Sequence, residues 1–234
     1  DSKAKAVEFY TPRSVVSLLV RILDPQPGET VYDPACGSGG MLIEAVNHMK
    51  HSSLCCGCIF GQEKNVTNSA IAKMNLFLHG ASDFNIMQGD TLRSPKILQN
   101  GSIAKFDCVI ANPPFSLEKW GATEWSADKY ERNIWGTPSD SCGDYAWIQH
   151  MVKSMAQGKG RMAVVMPQGV LFRDSEKAIR EKLVKSDLIE AVITLGDKLF
   201  YGTGLSPCLL ILRRLKPTAH SARVLMIDGS KILT

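Results

Sequence analysis

Asn112, Pro113, Pro114 and Phe115 stand together directly after residues 106–111, an apolar stretch typical of a buried strand. Two consecutive prolines keep the backbone extended and remove two amide donors, so acceptors dominate the local surface. The side-chain oxygen of Asn112 and the carbonyl oxygen of Pro113 can accept the two hydrogens of an aromatic amine and direct its lone pair outward. Phe115 offers a flat surface for stacking of a ring. The motif predicts chemistry on an exocyclic amino nitrogen of a base, and a plain strand-ending turn is the alternative.

A glycine-rich segment, Asp33-Pro-Ala-Cys-Gly-Ser-Gly-Gly40, lies between a predicted strand and a predicted helix. Ligands of open α/β sheets bind at the carboxyl ends of strands, and glycines let the backbone come close to a ligand. The segment lacks the glycine spacing of a dinucleotide-binding loop and the lysine of a phosphate-binding loop. A pyrophosphate is therefore not the indicated ligand, and a tight turn without a ligand is the alternative.

Two acidic residues follow the next two predicted strands. Glu63 ends the second strand, where a carboxylate suits hydrogen bonding to the two hydroxyls of a ribose. Asp90 ends the third strand and can accept a hydrogen bond from an adenine amino group. The alternatives are a solvated helix cap for Glu63 and a turn cap for Asp90.

Strands that alternate with helices must position these residues, and the apolar pattern predicts both. A helix is expected to start at Thr11 and Pro12, with Thr11 as its cap and Val15, Leu18, Leu19 and Ile22 on its apolar face. Further helices are predicted over 41–49 and 66–78. Strands are predicted at 30–33, 56–61, 85–87, 107–111, 161–166, 188–193 and 207–213, and a strand-like run precedes the end at Thr234. This alternation predicts an α/β sandwich with a mostly parallel sheet.

Residues 116–143 interrupt the alternation with a polar stretch that contains Trp120, Trp125, Tyr130 and Trp135. Because a long insertion of this kind is often functional, we interpret it as a lid or substrate loop. The chain as a whole, 1–234, is interpreted as one catalytic domain that belongs to a longer protein.

Composition favours an ordered domain of ordinary charge. The chain has 234 residues, 44% of them hydrophobic, and a formal net charge of +4, which by itself does not indicate nucleic-acid binding. The odd number of cysteines, seven, and the absence of a signal peptide favour reduced thiols and a cytoplasmic location. No stretch approaches the length of a membrane span, and the histidines and cysteines predict no metal site.

The order of these motifs resembles the amino-methyltransferases of DNA, and in particular the modification subunits of type I restriction–modification systems. Phe9-Tyr10-Thr11-Pro12 upstream of the glycine-rich segment adds to the resemblance, as do the segments 144–150, 165–172, 179–183 and 202–204. The resemblance covers nearly the whole chain. It implies a Rossmann-like methyltransferase fold with a seven-stranded sheet, the last strand antiparallel, and helices on both faces.

The resemblance also implies roles for individual residues. The residues implied in S-adenosylmethionine binding are Glu8, Phe9, Tyr10, Thr11, Pro12, Arg13, Asp33, Ala35, Gly37, Ser38, Gly39, Gly40, Glu63, Asp90 and Asn112. Those implied in catalysis on the target base are Asn112, Pro113, Pro114 and Phe115.

The implied activity is methylation of N6 of adenine in a specific DNA sequence, with DNA, a DNA-specificity subunit and a restriction subunit as partners. No segment of domain size in the chain is suited to reading base edges in a groove, so recognition of the DNA sequence is expected elsewhere. Cytosine N4, guanine N2 of RNA and a protein glutamine remain alternative acceptors. A non-catalytic assembly subunit is the alternative from another class.

Overall fold

The computed structural model describes residues 11–50, 58–196, 199–200 and 206–230. In this part of the chain, eight strands form one sheet. They are β1 (Val31–Asp33), β2 (Ile59–Glu63), β3 (Phe84–Gln88), β4 (Cys108–Ala111), β5 (Arg161–Pro167), β6 (Ile189–Thr194), β7 (Pro207–Arg213) and β8 (Leu225–Asp228). Six helices accompany them: α1 (Arg13–Leu23), α2 (Gly40–Lys50), α3 (Val66–Leu78), α4 (Ala122–Ser126), α5 (Asp144–Ser154) and α6 (Lys177–Lys185).

The order of strands across the sheet is β8-β6-β7-β5-β4-β1-β2-β3. Strand β7 runs antiparallel to both of its neighbours, and the remaining pairs are parallel. The predicted α/β class and the antiparallel seventh strand are confirmed. The predicted number of strands is corrected, because β8 adds an eighth strand that runs parallel to β6 at the edge of the sheet.

Helices cover both faces of the sheet, as alternate residues of β4 demonstrate. Cys108 and Ile110 pack with α1, α2 and α3 in one apolar cluster. Val109 and Ala111 pack in a second cluster with α5, α6 and the tryptophans of residues 116–143. Because successive side chains of a strand point to opposite faces, a central strand covered on both sides is apolar throughout.

Helix α1 differs from its prediction in two respects. Its cap is Pro12, and no side chain caps the helix, so the role predicted for Thr11 is wrong. Its buried face consists of Val15, Val16, Leu19, Val20 and Leu23, whereas Leu18 is exposed and Ile22 is half-buried. The face is rotated because α1 packs against α2 and the sheet together.

Residues 116–143 are fixed to the sheet by aromatic side chains. Trp120, Trp125 and Trp135 are buried in the second apolar cluster. The buried guanidinium of Arg132 lies 4.4 Å from the ring of Trp125 and donates hydrogen bonds to both carboxylate oxygens of Asp128. Apart from α4, the segment is a loop with its own packed interior, and its role as a lid or substrate loop stays a prediction.

Candidate active site

Strands β1 and β4 lie side by side at the point where the strand order of the sheet reverses. From β1 the chain proceeds outward through β2 and β3, and it then returns to the other side of β1 as β4. Such a switch point opens a crevice beyond the carboxyl ends of the two strands. Asp33 ends β1 and Asn112 directly follows β4, so the two motifs are neighbours across this crevice.

The glycine-rich segment turns tightly from β1 into α2. One carboxylate oxygen of Asp33 accepts a hydrogen bond from the amide of Ala35 at 2.9 Å. Gly37 and Gly39 have positive φ angles of 53° and 88°, a region that side chains with a Cβ rarely adopt. The space beside Gly37 is empty within 4 Å of where a Cβ would be, so its backbone is open to a ligand.

Glu63 connects the end of β2 to this turn. Its Oε2 accepts a hydrogen bond from the amide of Gly37 at 2.9 Å, and its Oε1 accepts one from the amide of Asn65 at 2.7 Å. A carboxylate has about four acceptor positions, so both oxygens can still accept a ligand hydroxyl. Binding of a ribose by Glu63 therefore stays a prediction that is compatible with the observed contacts.

Asp90 is engaged in its own turn. Its Oδ1 accepts hydrogen bonds from the amides of Leu92 and Arg93, at 3.1 and 3.2 Å. Its Oδ2 lies 2.9 Å from the ammonium of Lys64. These contacts correspond to the turn-capping alternative, and a contact with an adenine amino group stays a prediction.

Asn112 has one satisfied and one unsatisfied end. Its Nδ2 donates a hydrogen bond to the hydroxyl of Thr11 at 2.8 Å, which connects the start of α1 to the end of β4. Its Oδ1 is buried and accepts no hydrogen bond from any residue that the structure describes. Because a buried acceptor without a donor is costly, such groups in folded proteins often have a functional explanation.

The residues after Asn112 differ in exposure. Pro113 is buried, and Pro114 and Phe115 are half-buried. The rings of Phe115 and Phe200 have centroids 6.3 Å apart and are inclined by 58°. Phe115 packs against the apolar cluster that contains α1 and α2, at the crevice side of the sheet.

A cavity of about 630 Å³ lies at this crevice. The predicted site residues that line it are Thr11, Arg13, Asp33, Ala35, Gly37, Ser38, Gly40 and Asn112. Pro12, Gly39, Glu63, Asp90, Pro113, Pro114 and Phe115 do not line it. The predicted residues Glu8, Phe9 and Tyr10 lie outside the described residues. The volume of the cavity is in the range of pockets that bind small molecules and cofactors.

Burial dominates the electrostatics of the turn. Asp33 is 2% exposed, and burial, reinforced by the charge of Glu63, raises the pKa of its carboxyl to about 8. Burial likewise raises the pKa of the Cys36 thiol, with the carboxylates of Asp33 and Glu63 adding to the effect. A cation bound beside Asp33 would lower the pKa of this carboxyl, because it would favour the ionised form.

Sequence reasoning did not identify the residues that support the 112–115 segment from behind. Asp144, at the start of α5, is 1% exposed, and its Oδ1 accepts a hydrogen bond from the amide of Ser116 at 2.7 Å. Its Oδ2 accepts a hydrogen bond from Arg173 at 2.6 Å. A carboxylate directly before the apolar pattern of a helix was the available signal, but it is also typical of a simple helix start.

A second unpredicted group lies beneath the sheet. The hydroxyl of Tyr32 lies 3.1 Å from Nε2 of His150, and Nδ1 of His150 lies 3.4 Å from the guanidinium of Arg132. Burial, with a contribution from Arg132, lowers the pKa of His150 well below its ordinary value, so the imidazole is neutral. This group joins β1 to residues 116–143. Among the described residues, none of its side-chain hydrogen bonds is to a residue that lines the cavity.

Neither a metal centre nor a membrane span is found in the described parts of the chain. No three histidine, cysteine, aspartate or glutamate side chains among them group so that they could hold a metal ion. None of the described helices has the length and apolar character needed to cross a bilayer. Cys208, fully buried in β7, packs in the apolar core.

Comparisons with solved structures agree with this architecture. The methyltransferase subunit of a type I restriction–modification system from Streptococcus thermophilus superposes with a TM-score of 0.85 at 32% identity, covering 96% of this chain and 48% of that one. The M protein of the type I restriction enzyme EcoKI superposes with a TM-score of 0.74 at 26% identity, covering 94% of this chain and 48% of that one.

Sequence comparison leads to the same group of proteins. The MjaVII type I methylase subunit of Methanocaldococcus jannaschii is 37% identical over 97% of this chain and 40% of its own length. The HindI methylase subunit of Haemophilus influenzae is 31% identical over 96% of this chain and 50% of its own length. The chain thus spans about half or less of the length of these relatives. The family model for N-6 DNA methylases matches residues 1–234. The chain therefore belongs to the N-6 DNA methylase family.

Proposed function

We propose that this chain is the catalytic part of a type I modification subunit that transfers the methyl group of S-adenosylmethionine to N6 of adenine in DNA. The family match and the type I methylase subunits among its relatives support the proposal. So does a solved structure at 29% identity that concerns complex assembly of a type I restriction–modification system. By that likeness, the partners of the whole protein are a DNA-specificity subunit and a restriction subunit.

The observation that carries the proposal is the unsatisfied Oδ1 of Asn112. An exocyclic amine is a weak nucleophile because its lone pair is delocalised into the ring. An acceptor that holds one of its hydrogens favours a pyramidal nitrogen and frees the lone pair. The buried Oδ1 is such an acceptor, and Asn112 lines the same cavity as the glycine-rich turn.

The hydrogen bond to Thr11 determines which end of the Asn112 amide is available. Because Nδ2 donates to the Thr11 hydroxyl, the oxygen and not the nitrogen remains for the substrate. A positioned acceptor of this kind needs no reorganisation during the reaction, which is the basis of its catalytic effect.

The residues of the cavity suit S-adenosylmethionine. Arg13 lines the cavity and can pair with a carboxylate, while Glu44 supplies an acidic group for a positively charged ligand. Such a ligand would also favour ionisation of Asp33, whose pKa burial raises to about 8. Gly37 opens its backbone to the same space. When bound, the cofactor supplies an electrophilic methyl group. The role of the chain is then to hold the cofactor with these residues and to present the target amine to its methyl group through Asn112.

Phe115 is the residue suited to hold the target base. An enzyme that acts on a base must take it out of the helical stack, and an aromatic surface offsets part of that cost. Phe115 directly follows the two prolines and is half-buried, so the core does not fully enclose it, although it does not line the cavity.

The experiment compares Asn112→Ala with Thr11→Val and Thr11→Ser in the full-length protein assembled with its partner subunits. We expect Asn112→Ala to reduce the single-turnover rate of methyl transfer by about 100- to 1000-fold, with the affinity for S-adenosylmethionine retained. Thr11→Val leaves the amide of Asn112 without its partner and should reduce the rate less, whereas Thr11→Ser keeps the hydroxyl and should retain it.

Product analysis by mass spectrometry distinguishes the acceptors. N6-methyladenine in the DNA is the expected product. N4-methylcytosine would change the assigned base, and the absence of any methylated product with the unaltered assembled enzyme would favour a non-catalytic assembly subunit. A near-normal rate in Asn112→Ala would refute the acceptor mechanism.

A further inference from the structure

The exit of the 112–115 segment is held by two hydrogen bonds to the start of α5. The amide of Ser116 donates to Oδ1 of Asp144 at 2.7 Å, and the amide of Gly143 donates to the carbonyl oxygen of Leu117 at 3.0 Å. Ser116 has a positive φ angle of 49°, which is uncommon for a residue with a Cβ. The backbone directly after Phe115 is therefore kept in an unfavourable conformation by contacts with α5.

Asp144 is itself fixed by the segment that follows β5. Its Oδ2 accepts a hydrogen bond from the guanidinium of Arg173 at 2.6 Å, and Arg173 also donates to Glu176 at 2.8 Å. Asp144 and Glu176 are 1% and 0% exposed, so the two carboxylates are shielded from water, whereas the side chain of Arg173 is 26% exposed. Oδ1 of Asp144 therefore accepts from Ser116, while Oδ2 accepts from Arg173 and, at 3.3 Å, from the thiol of Cys142.

We propose that Asp144 is a positioning residue for methyl transfer, which acts by holding the amide of Ser116 and thereby the placement of Asn112 and Phe115. This inference rests on the proposed function of the 112–115 segment. Among the described residues, the carboxylate of Asp144 makes no hydrogen bond to residues 33–40 or 112–115, so its effect on these segments passes through the backbone of Ser116. A displacement of about 1 Å in a reacting group can reduce a rate about 100-fold.

The negative charge of Asp144 stabilises the guanidinium of Arg173, whereas the hydrogen bond from the amide of Ser116 requires only an acceptor. Asp144→Ala removes the contacts with Ser116, Arg173 and Cys142 together. In the triple variant Asp144→Asn, Arg173→Gln and Glu176→Gln, neutral side chains of similar shape replace both ion pairs, so the buried Glu176 is not left charged without Arg173. The asparagine oxygen is then free to accept from Ser116, because the glutamine carbonyl at position 173 can accept from the asparagine nitrogen. The two variants therefore separate the hydrogen bond to Ser116 from the charge.

A matched control for loss of a buried ion pair is available at the opposite edge of the sheet. Glu29 pairs with Arg161, which begins β5, at 2.6 Å, and both side chains are largely buried. Glu29→Ala breaks a buried pair as Asp144→Ala does, but it lies at the amino ends of the strands, away from the cavity. Any loss of rate that results only from lower stability should appear in Glu29→Ala as well.

The test measures single-turnover methyl transfer and cofactor affinity in the full-length assembled enzyme, at a temperature at which every variant is folded by circular dichroism. We expect Asp144→Ala to lose about 10- to 100-fold in rate, with cofactor affinity within about threefold of the unaltered enzyme. The neutral triple variant should recover most of the rate, and Glu29→Ala should retain it.

Three outcomes would overturn the proposal: an undiminished rate in Asp144→Ala, an equal loss in Glu29→Ala, or no recovery in the triple variant. The last outcome would assign the effect to the charge on Asp144 instead of the Ser116 contact. Failure of the proposed function is distinguishable from all three, because the unaltered assembled enzyme would then form no N6-methyladenine.

Discussion

Replacing Asp33 with asparagine should stabilise the chain increasingly as the pH rises. Asp33 is almost fully buried, and the one hydrogen bond described for its carboxylate is from the amide of Ala35. An asparagine at this position would keep the shape and an oxygen for that amide, but it could not ionise. Asp33→Asn therefore removes only the pH dependence of stability that arises from ionisation of Asp33.

The sign follows from the direction of the pKa change. Burial and the charge of Glu63 raise the pKa of Asp33 from its ordinary value of 3.8 to about 8 in the folded chain. Between these two values the folded chain holds a proton that the unfolded chain has released, so the free energy of unfolding falls as the pH rises. The stabilising contribution is fully present below pH 3.8 and is lost as the pH rises through about 8.

The magnitude follows from the linkage relation. One pH unit corresponds to about 1.4 kcal/mol for a group that is protonated in the folded chain and ionised in the unfolded chain. The free energy of unfolding of Asp33→Asn relative to the unaltered chain should therefore increase by about 1.4 kcal/mol for each unit between about pH 5 and 7. Above about pH 8 the difference should level off.

The assay is urea denaturation of both chains, without cofactor, at a series of pH values from about 5 to 8.5. This range includes both the expected increase in the stability difference and its levelling above about pH 8. Asp107 serves as the control of opposite sign, because hydrogen bonds from Thr30 and Lys159 outweigh its burial and lower the pKa of its carboxyl. Asp107→Asn should destabilise the chain at neutral pH, and the loss should vanish as the pH falls through the lowered pKa. A stability difference between Asp33→Asn and the unaltered chain that does not change with pH would refute the argument for Asp33.

Further predictions concern binding and packing. Glu63→Ala should weaken S-adenosylmethionine binding by about 1.5–3 kcal/mol by calorimetry, through loss of a charge-assisted hydrogen bond, and unchanged affinity would exclude Glu63 from the site. Phe115→Ala should weaken productive DNA binding by about 1–3 kcal/mol while reducing the chemical step less than Asn112→Ala does, and single-turnover titrations with DNA would detect the reverse. Arg132→Met should lower the free energy of unfolding by about 3–5 kcal/mol, since it leaves the buried Asp128 unpaired; urea denaturation measures the change. This chain alone should bind DNA weakly and without sequence preference, and a gel-shift assay with tight binding to one sequence over its scramble would contradict that.

Much of the fold was predictable because local patterns agree with the global arrangement. Helix α3 was predicted over its full extent, 66–78, and β7 over 207–213. Parallel strands place their carboxyl ends at one edge of a sheet, so motifs at four strand ends were expected to meet there. The edge strand β8 was seen only as a strand-like run, since its four residues are exposed and show no alternation between a buried and an exposed face.

The site was predictable in its residue types but not in its partners. The segments 33–40 and 112–115 indicate the chemistry by composition and spacing, each with a plain turn as its alternative, and the resemblance of the joint motif order to a known family favours the functional interpretation. The contact of Thr11 with Asn112 joins residues 101 positions apart, and that of Asp144 with Ser116 joins residues 28 apart. No local pattern encodes such pairs.

The sequence by itself determined the succession of strands and helices and the residues with the capacity for amine chemistry. The tertiary structure alone decided which end of the Asn112 amide remains available. It also decided that Asp33 is buried enough to hold a proton near neutral pH, and that Asp144 supports the backbone after Phe115. The physical reason is that a side chain's chemistry is local, whereas its hydrogen-bond partner, its burial and its pKa depend on groups that folding brings from distant parts of the chain.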